Sequence, residues 1–192
     1  MSRWEGNTRG RLEQAALDLF TEQGYDRTTV AQIAKRANLT ERSFYRWFPD
    51  KREVLFGGSE ELEERFVAAI HAVPGDTGPL ATLMSAFTVA PQVYRPRDFL
   101  RKRTAVIAAN PPLQERELIK LASLSQALTT ALRERGHDAP TAHLAADAGM
   151  AILRTTAERW LADENADYAQ LLSASAADLR TILTQDAAFT HP

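Results

Sequence analysis

The chain has 192 residues, a formal net charge of −2 and 44% hydrophobic residues, an ordinary composition for a globular protein with one or two packed domains. It contains no cysteine, which excludes disulfide bonds, cysteine-ligated zinc and thiol nucleophiles. The N-terminal residues lack the apolar core of a signal peptide, and no segment approaches the roughly 18 apolar residues that cross a bilayer, so we expect a cytoplasmic protein that does not engage a membrane.

The first predicted helix covers residues 8–23 and ends at Gly24. Apolar side chains recur along it at helical spacing, with polar residues between them: Leu12, Ala16, Leu19 and Phe20. Such a helix buries one face. We therefore expect it to brace the short helices that follow.

Residues 24–51 predict two short helices joined by a tight turn. Thr29 can cap the first, over residues 30–37, because its hydroxyl can accept a hydrogen bond from an unpaired N–H of the first turn. Asn38 follows where the chain must reverse. Asparagine tolerates the left-handed conformation that such a turn requires, so the turn is credible without glycine.

The second short helix can be capped by Thr40 and continues to residue 48. Phe44 and Phe48 are four residues apart and share an inward face. Other side chains lie on the remaining faces: Glu41, Arg42, Ser43, Tyr45 and Arg46. Two helices joined by a short turn form the unit that places its second helix in the major groove of DNA.

Positive charge is concentrated in the stretch that contains the two short helices. Residues 27–52 carry seven basic side chains and two acidic ones, a local balance of +5, whereas residues 54–192 carry 13 basic and 17 acidic side chains. A basic end on an acidic body is expected when only that end meets phosphate groups. A charge cluster is also typical of a solvated surface, but its coincidence with two short helices favours DNA binding.

The remaining chain predicts six more helices. Pro49 ends the second short helix, and Asp50 can cap the next, which runs over residues 51–73 with a soft point at Gly57-Gly58. The others cover residues 80–90, 98–109, 113–135, 141–164 and 168–184. No segment shows the alternation of a β-strand, so the sequence predicts an all-α fold of about nine helices.

Enzymatic chemistry has no sequence support. The chain contains no nucleophile elbow, no HExxH motif and no glycine-rich phosphate loop, and its four histidines are dispersed without metal-ligand spacing. We therefore predict no catalytic residue, no metal and no cofactor, and expect that the chain is not an enzyme.

Over about residues 8–56 the sequence strongly resembles the tetracycline-repressor (TetR) family of bacterial transcription regulators. The residues at the family's spacings are Gly24, Thr28-Thr29, Ile33-Ala34, Ala37, Leu39, Thr40, Phe44-Tyr45, Trp47-Phe48, Lys51 and Leu55. Asn38 is a departure, since the family most often has glycine there. The resemblance implies a helix-turn-helix DNA-binding domain over residues 1–52 and an effector-binding and dimerisation domain over residues 53–192.

The resemblance also implies a function. It implies a homodimer that binds a palindromic double-stranded DNA operator, usually as a repressor, and leaves it when a small molecule enters the C-terminal domain. The alternative is a helical small-molecule-binding protein that no longer binds DNA.

The DNA-binding residues that the resemblance implies are Thr29, Thr40, Glu41, Arg42, Ser43, Tyr45, Arg46, Trp47 and Lys51. Thr29 and Lys51 are assigned to phosphate contacts at helix N-termini, although caps or surface positions would use the same residue types. Arg42 and Arg46 can bind guanine O6 and N7 or a phosphate, and Glu41 can accept from a cytosine amino group. Tyr45 and Trp47 are assigned to phosphate or a thymine methyl group, and Trp47 can equally be partly core.

A ligand pocket would lie between the central helices, and each of its candidate residues can also be plain core. The candidates are Phe66, Ile70, Met84, Phe87, Phe99, Arg103, Ile107, Leu121, Met150 and Trp160. Arg103 ends a basic run that begins at Arg95. An inward-pointing member would favour an anionic effector, but solvated surface is the default expectation.

The last two predicted helices would pair with the same helices of a second subunit. Small residues on them would allow close helix approach: Ala145, Ala148, Gly149, Ala174 and Ala177. Packing within one chain uses the same small residues, so the expected homodimer depends mainly on the family resemblance.

Overall fold

The computed structural model describes residues 8–185, which form ten α-helices and contain no β-strand. They are α1 (Thr8–Gln23), α2 (Val30–Arg36), α3 (Glu41–Tyr45), α4 (Ser59–Ala72), α5 (Pro79–Phe87), α6 (Ala90–Val93), α7 (Arg97–Ala108), α8 (Pro111–Glu134), α9 (Ala139–Ala162) and α10 (Tyr168–Gln185), with a 3-10 helix at Glu53–Leu55. The predicted all-α fold is confirmed. The short α6 is the addition to the predicted set.

The helix predicted over residues 51–73 is two separate elements. The 3-10 helix ends at Leu55, Gly57 and Gly58 form a turn, and α4 begins at Ser59, whose hydroxyl donates to Phe56 O at 2.7 Å. Two consecutive glycines are poor helix formers. The soft point predicted from them is therefore a complete break.

The helices belong to two compact units. The first comprises the described residues up to Glu60 together with Arg95–Leu121, and the second comprises Glu61–Tyr94 and the described residues from Ala122 onward. The functional division predicted after residue 52 stays a prediction.

Helix α1 lies at the centre of the first unit and packs against α2, α7 and the 3-10 helix. Its apolar stripe is buried as predicted, and so are Phe44 and Phe48. Helix α7 and the start of α8 add apolar side chains to the same core: Phe99, Val106, Ile107 and Leu113. The helical spacing indicated a buried face on α7, but it could not indicate which core that face joins.

A buried carboxylate lies at the edge of this core. Glu13 is 2% exposed, and its oxygens accept from Arg95 Nε at 3.0 Å and Arg9 Nε at 3.2 Å. A buried charge is stable only when it is paired and hydrogen-bonded. The solvated surface expected for the basic run is therefore wrong for Arg95.

Arg103 also points inward. Its Nε donates to Leu55 O at 2.7 Å, its Nη1 lies 3.1 Å from the Glu117 carboxylate, and its guanidinium lies 4.9 Å from the centre of the Phe56 ring. Burial lowers the pKa of Arg103, and the Glu117 charge opposes that shift. The guanidinium thus joins α7 to the end of the 3-10 helix and to Phe56 after it.

In the second unit, α9 packs against α5 and α10. A side-chain carbon on Gly149 would lie 2.7 Å from Leu83 Cδ1 and 3.4 Å from the Phe87 ring, so this glycine permits close packing of α5 on α9. Ala145 is also buried within the chain. These two small residues therefore serve intrachain packing, the alternative that the sequence leaves open.

Gly57 and Gly58 provide a matched pair for testing the buried carboxylate. A side-chain carbon on Gly57 would overlap Glu13 Oε1 and lie 3.1 Å from Phe48 Cε1, whereas one on Gly58 meets its nearest atom at 4.0 Å. We expect Gly57→Ala to lower the free energy of unfolding by about 1–3 kcal/mol through overpacking. Gly58→Ala should leave it unchanged or slightly higher. Urea denaturation followed by circular dichroism measures both, and equal stabilities of the two variants would contradict the packing described for Glu13.

Candidate DNA interface

Helices α2 and α3 are very short, with seven and five residues. Isolated helices of this length are unstable in water, so their ends need support from side chains. Thr29 Oγ1 accepts from Gln32 N at 3.2 Å, and Gln32 Oε1 accepts from Thr29 N at 2.9 Å. This reciprocal capping box confirms the predicted cap at the start of α2.

The turn between the two helices contains a left-handed residue. Asn38 has φ 54°, and Leu39 N donates to Ala34 O at 2.8 Å. Arg11 of α1 reaches this turn, where its Nη2 donates to the carbonyl oxygens of Ala37 and Asn38. The conformation predicted for Asn38 is confirmed. Arg11 stabilises the turn through hydrogen bonds that local sequence patterns did not indicate.

Helix α3 is held by one cap and two buried rings. Thr40 Oγ1 accepts from Ser43 N at 3.2 Å, and the rings of Phe44 and Phe48 lie 5.5 Å apart in the core. The helix ends at Tyr45 rather than at residue 48. Hydrogen bonds from Trp47 N and Phe48 N to Phe44 O continue the chain as a turn, so Phe48 still faces inward.

The outer face of α3 and the turn after it is polar and aromatic. Tyr45 is 56% exposed and Trp47 is 44% exposed, so Trp47 lies mostly at the surface. The Arg46 guanidinium lies 5.8 Å from the centre of the Trp47 ring. Thr40, Glu41, Arg42 and Arg46 are also exposed, and Ser43 is half-buried. The structure thus brings the residues predicted between positions 40 and 47 together on one surface.

The positive charge of this region is partly neutralised. Arg36 pairs with Glu22 at 2.6 Å, and Arg52 pairs with Asp50 at 2.9 Å. Glu22 lies outside the stretch whose charge was counted, so the sequence overstated the local excess. Arg42 makes no ion pair with any residue between 8 and 185, and its charge is available to an external anion.

Asp50 supports the chain as it leaves α3. Its Oδ1 accepts from Arg52 N at 2.7 Å and from Glu53 N at 3.2 Å, so Asp50 caps the turn that leads into the 3-10 helix. The N-cap residue of the 3-10 helix itself is Arg52, and the longer helix that Asp50 was predicted to begin does not form. Partial burial raises the pKa of Asp50, but the hydrogen bonds from Arg52 and Glu53 outweigh it and leave that pKa below its ordinary value.

Lys51 points into the protein rather than outward. Its Nζ donates to Tyr25 O at 2.8 Å, Thr28 O at 3.0 Å and Asp26 O at 3.4 Å. The ammonium also lies 4.2 Å from the centre of the Tyr25 ring. These partners lie 23 to 26 residues away in sequence, and the local pattern around Lys51 did not indicate them.

The predicted effector residues do not form one cluster. Six of them form the apolar core of the second unit or pack against it: Phe66, Ile70 and Phe87 are buried in it, and Met84, Met150 and Trp160 are partly buried beside it. Phe99 and Ile107 belong to the core of the first unit, Leu121 is 40% exposed, and Arg103 is engaged with Glu117.

An aromatic cluster that the sequence did not indicate surrounds Trp160. The Trp160 ring centre lies 5.7 Å from that of Tyr94 and 6.0 Å from that of Tyr168. Burial raises the pKa of both tyrosine hydroxyls, so they stay neutral donors at ordinary pH.

Residues 8–185 were also compared with the requirements of a ligand cavity, a metal site and a membrane-spanning helix. Two surface cavities, of about 440 and 360 Å³, are lined by none of the predicted effector residues. Within this part of the chain, no group of three or more acidic or histidine side chains is placed to hold a metal ion. No helix in the same range is long and apolar enough to cross a membrane.

Two family models match the chain. Residues 13–56 match the model described as bacterial regulatory proteins of the tetR family, and residues 78–184, more than half of the chain, match the model described as the MftR C-terminal domain. The first match ends just after the 3-10 helix and contains α2 and α3.

Part of the chain is similar in sequence to known transcriptional regulators. The chain is 40% identical to the HTH-type transcriptional regulator TcmR of Streptomyces glaucescens over 80 residues, which are 42% of this chain and 35% of TcmR. A second relative, the HTH-type transcriptional regulator HbdR of Aromatoleum, is 34% identical over 79 residues, 41% of this chain and 34% of HbdR. The chain thus matches only about a third of the length of these curated relatives.

Solved structures extend the similarity beyond the N-terminal region. A transcriptional regulator of Aquifex aeolicus VF5 has a TM-score of 0.57 at 19% identity, covering 92% of this chain and 99% of that one. Thermus thermophilus FadR, a TetR-family repressor solved with lauroyl-CoA, has a TM-score of 0.52 at 25% identity, covering 91% and 93%. The two family models and these relatives agree, and the chain belongs to the TetR family of bacterial transcription regulators.

Proposed function

We propose that the protein is a transcriptional repressor that binds a palindromic DNA operator as a homodimer in the cytoplasm and is released by a small molecule. One observation carries the proposal. The exposed face of α3 and of the turn after it presents the rings of Tyr45 and Trp47 together with Arg42, which makes no ion pair within residues 8–185, while Phe44 and Phe48 are buried in the core. This is the arrangement of a recognition helix for the major groove.

The proposed contacts follow from the chemistry of that face. Arg42 binds guanine O6 and N7, and Tyr45 and Trp47 pack against thymine methyl groups or the sugar-phosphate backbone. Glu41 accepts from a cytosine amino group. The hydroxyls of Thr29, Thr40 and Ser43, together with Arg46, bind phosphate oxygens, which set the register of the protein on the duplex.

Lys51 is implied by the resemblance to contact phosphate as well, but its ammonium already donates to three main-chain carbonyl groups. A phosphate oxygen would compete with those carbonyl groups for the same N–H bonds. Lys51 therefore differs from the exposed residues of α3, whose polar groups face solvent.

Two rival functions have less support. The proteins of this family are transcriptional regulators, so the prediction that the chain is not an enzyme is confirmed. A small-molecule-binding protein that had lost DNA binding would have no need for an exposed Arg42, Tyr45 and Trp47 on one surface. Large apolar side chains that are exposed side by side mark an interaction surface.

The proposed dimer uses the outer faces of α9 and α10. Leu144 is 72% exposed, and Ala148 and Ala151 follow it on the same face of α9 at helical spacing. On α10, Ile182 and Leu183 are exposed. Burying such apolar side chains against a second copy would remove them from water, which is the dominant favourable term in subunit association.

The proposed effector is an apolar small molecule bound in the second unit. Six of the predicted effector residues lie in one apolar core there, and the neighbouring Tyr94 and Tyr168 can supply neutral hydrogen-bond donors. The inward arginine that would have favoured an anion, Arg103, belongs to the first unit and is paired with Glu117. FadR, which was solved with lauroyl-CoA, shows that a relative binds a molecule with a long apolar part.

Arg42→Ala tests the recognition helix. With an operator selected from a pool of random duplexes, we expect affinity to fall by about 1–3 kcal/mol and base preference to relax at one position of each half-site. Arg133→Ala is the matched control, because it removes an exposed arginine from α8, outside the basic stretch. Mobility-shift titration of both variants against single-base operator variants gives the two quantities.

Unchanged affinity together with unchanged base preference for Arg42→Ala would show that α3 is not the recognition helix. If the unmodified protein selected no duplex, or if its affinity did not fall steeply between 50 and 200 mM salt, the DNA-binding function itself would be wrong, since several phosphate contacts cost roughly 10³–10⁵ in affinity over that range.

Leu144→Glu tests the dimer. A charge on the proposed interface would have to be desolvated without a partner, so we expect this variant to be monomeric at concentrations where the unmodified protein is dimeric. Leu118→Glu is the control, because Leu118 is similarly exposed, at 67%, but lies on α8. Multi-angle light scattering over a dilution series distinguishes the two, and a Leu144→Glu dimer of undiminished stability would place the interface elsewhere.

A further inference from the structure

The Lys51 ammonium group has as many main-chain acceptors around it as it has N–H bonds. An ammonium group has three N–H bonds and no acceptor. The three carbonyl oxygens of Tyr25, Asp26 and Thr28 lie 2.8 to 3.4 Å from Nζ, and the Tyr25 ring lies beside it. A phosphate at this ammonium would have to displace a main-chain partner.

The backbone brings these carbonyl groups together. Gly24 ends α1 with φ +88°, and the next residues form a tight turn in which Thr28 N donates to Tyr25 O at 3.2 Å. Thr28 Oγ1 is buried and donates back to Gly24 O at 2.8 Å. The carbonyl oxygens of Tyr25, Asp26 and Thr28 converge on one side of the turn, where the Lys51 ammonium donates to all three.

This turn leads directly into the cap of α2. Gln23 Nε2 donates to Thr28 Oγ1 and to Gln32 Oε1, both at 3.1 Å, and Gln32 Oε1 is the acceptor for Thr29 N. A displacement of Thr28 would therefore disturb the capping box. Since α2 has only seven residues, its direction depends on that cap, and α3 packs on α2.

We propose that Lys51 is a positioning residue that fixes the turn before α2, and through it α3, and that it does not bind phosphate. The effect on DNA rests on the proposed DNA-binding function: if the protein binds an operator, Lys51 influences the affinity for it without contacting it. The chain returns to this turn just after α3, so one side chain joins the entry of the two-helix unit to its exit.

Two substitutions separate positioning from phosphate binding. Lys51→Met keeps an unbranched apolar stem and removes the ammonium. Lys51→Arg keeps the charge, but a planar guanidinium does not reproduce the compact ammonium among three carbonyl groups, although it binds phosphate well. A phosphate ligand would tolerate arginine, whereas the positioning role should not.

We expect both variants to bind the operator about tenfold more weakly, as for the loss of a charge-assisted hydrogen bond. The slope of log affinity against log salt should equal that of the unmodified protein, because the number of phosphate groups that the protein neutralises stays the same. Amide hydrogen exchange should accelerate in residues 25–36, while the amides of α1 and α9 keep their protection.

Two results would overturn the proposal. One is a salt slope for Lys51→Met that is flatter by about 0.9 for each phosphate group no longer neutralised, with Lys51→Arg binding normally. The other is unchanged exchange in residues 25–36 in both variants. The exchange measurement needs no DNA, so it tests the turn even if no duplex is bound, and absence of duplex binding by the unmodified protein would count only against the proposed function.

Discussion

The shortness of α2 and α3 is the constraint on which the N-terminal structure depends. Twelve helical residues in two short helices are too few to be stable alone in water, so both helices depend on side chains that lie outside them. Thr29 and Thr40 supply the caps, Arg11 satisfies the turn, and Lys51 satisfies the preceding loop. Phe44 and Phe48 then anchor the unit to the core of α1, which leaves its outer face exposed to solvent.

Basic side chains in this region therefore have two different uses. Arg11 and Lys51 donate to carbonyl oxygens within the fold, and Arg36 and Arg52 pair with nearby carboxylates. Arg42 has no such partner among residues 8–185. Net charge alone cannot separate these uses, because it counts a side chain that is paired or hydrogen-bonded within the fold in the same way as one that is not.

The sequence predicted the structural features that depend on residues close to one another in the chain. The caps at Thr29, Thr40 and Asp50, the left-handed Asn38 and the buried Phe44 and Phe48 all follow from residues within four or five positions. The partners of Arg95 and Arg103 lie 82 and 48 residues away, and no local pattern connects them. The predicted effector residues divide between two cores for the same reason, since an apolar periodicity identifies a buried face but not the core that it enters.

The division of the first unit into two stretches has a consequence for how the protein is made. Glu13 and the apolar face of α1 emerge early from the ribosome, but Arg95, Phe99 and Ile107, which complete their surroundings, are synthesised only after α4, α5 and α6. Until then the nascent N-terminal segment carries a half-covered core and an incompletely paired carboxylate. The first unit therefore cannot complete its core until much of the second unit has been translated.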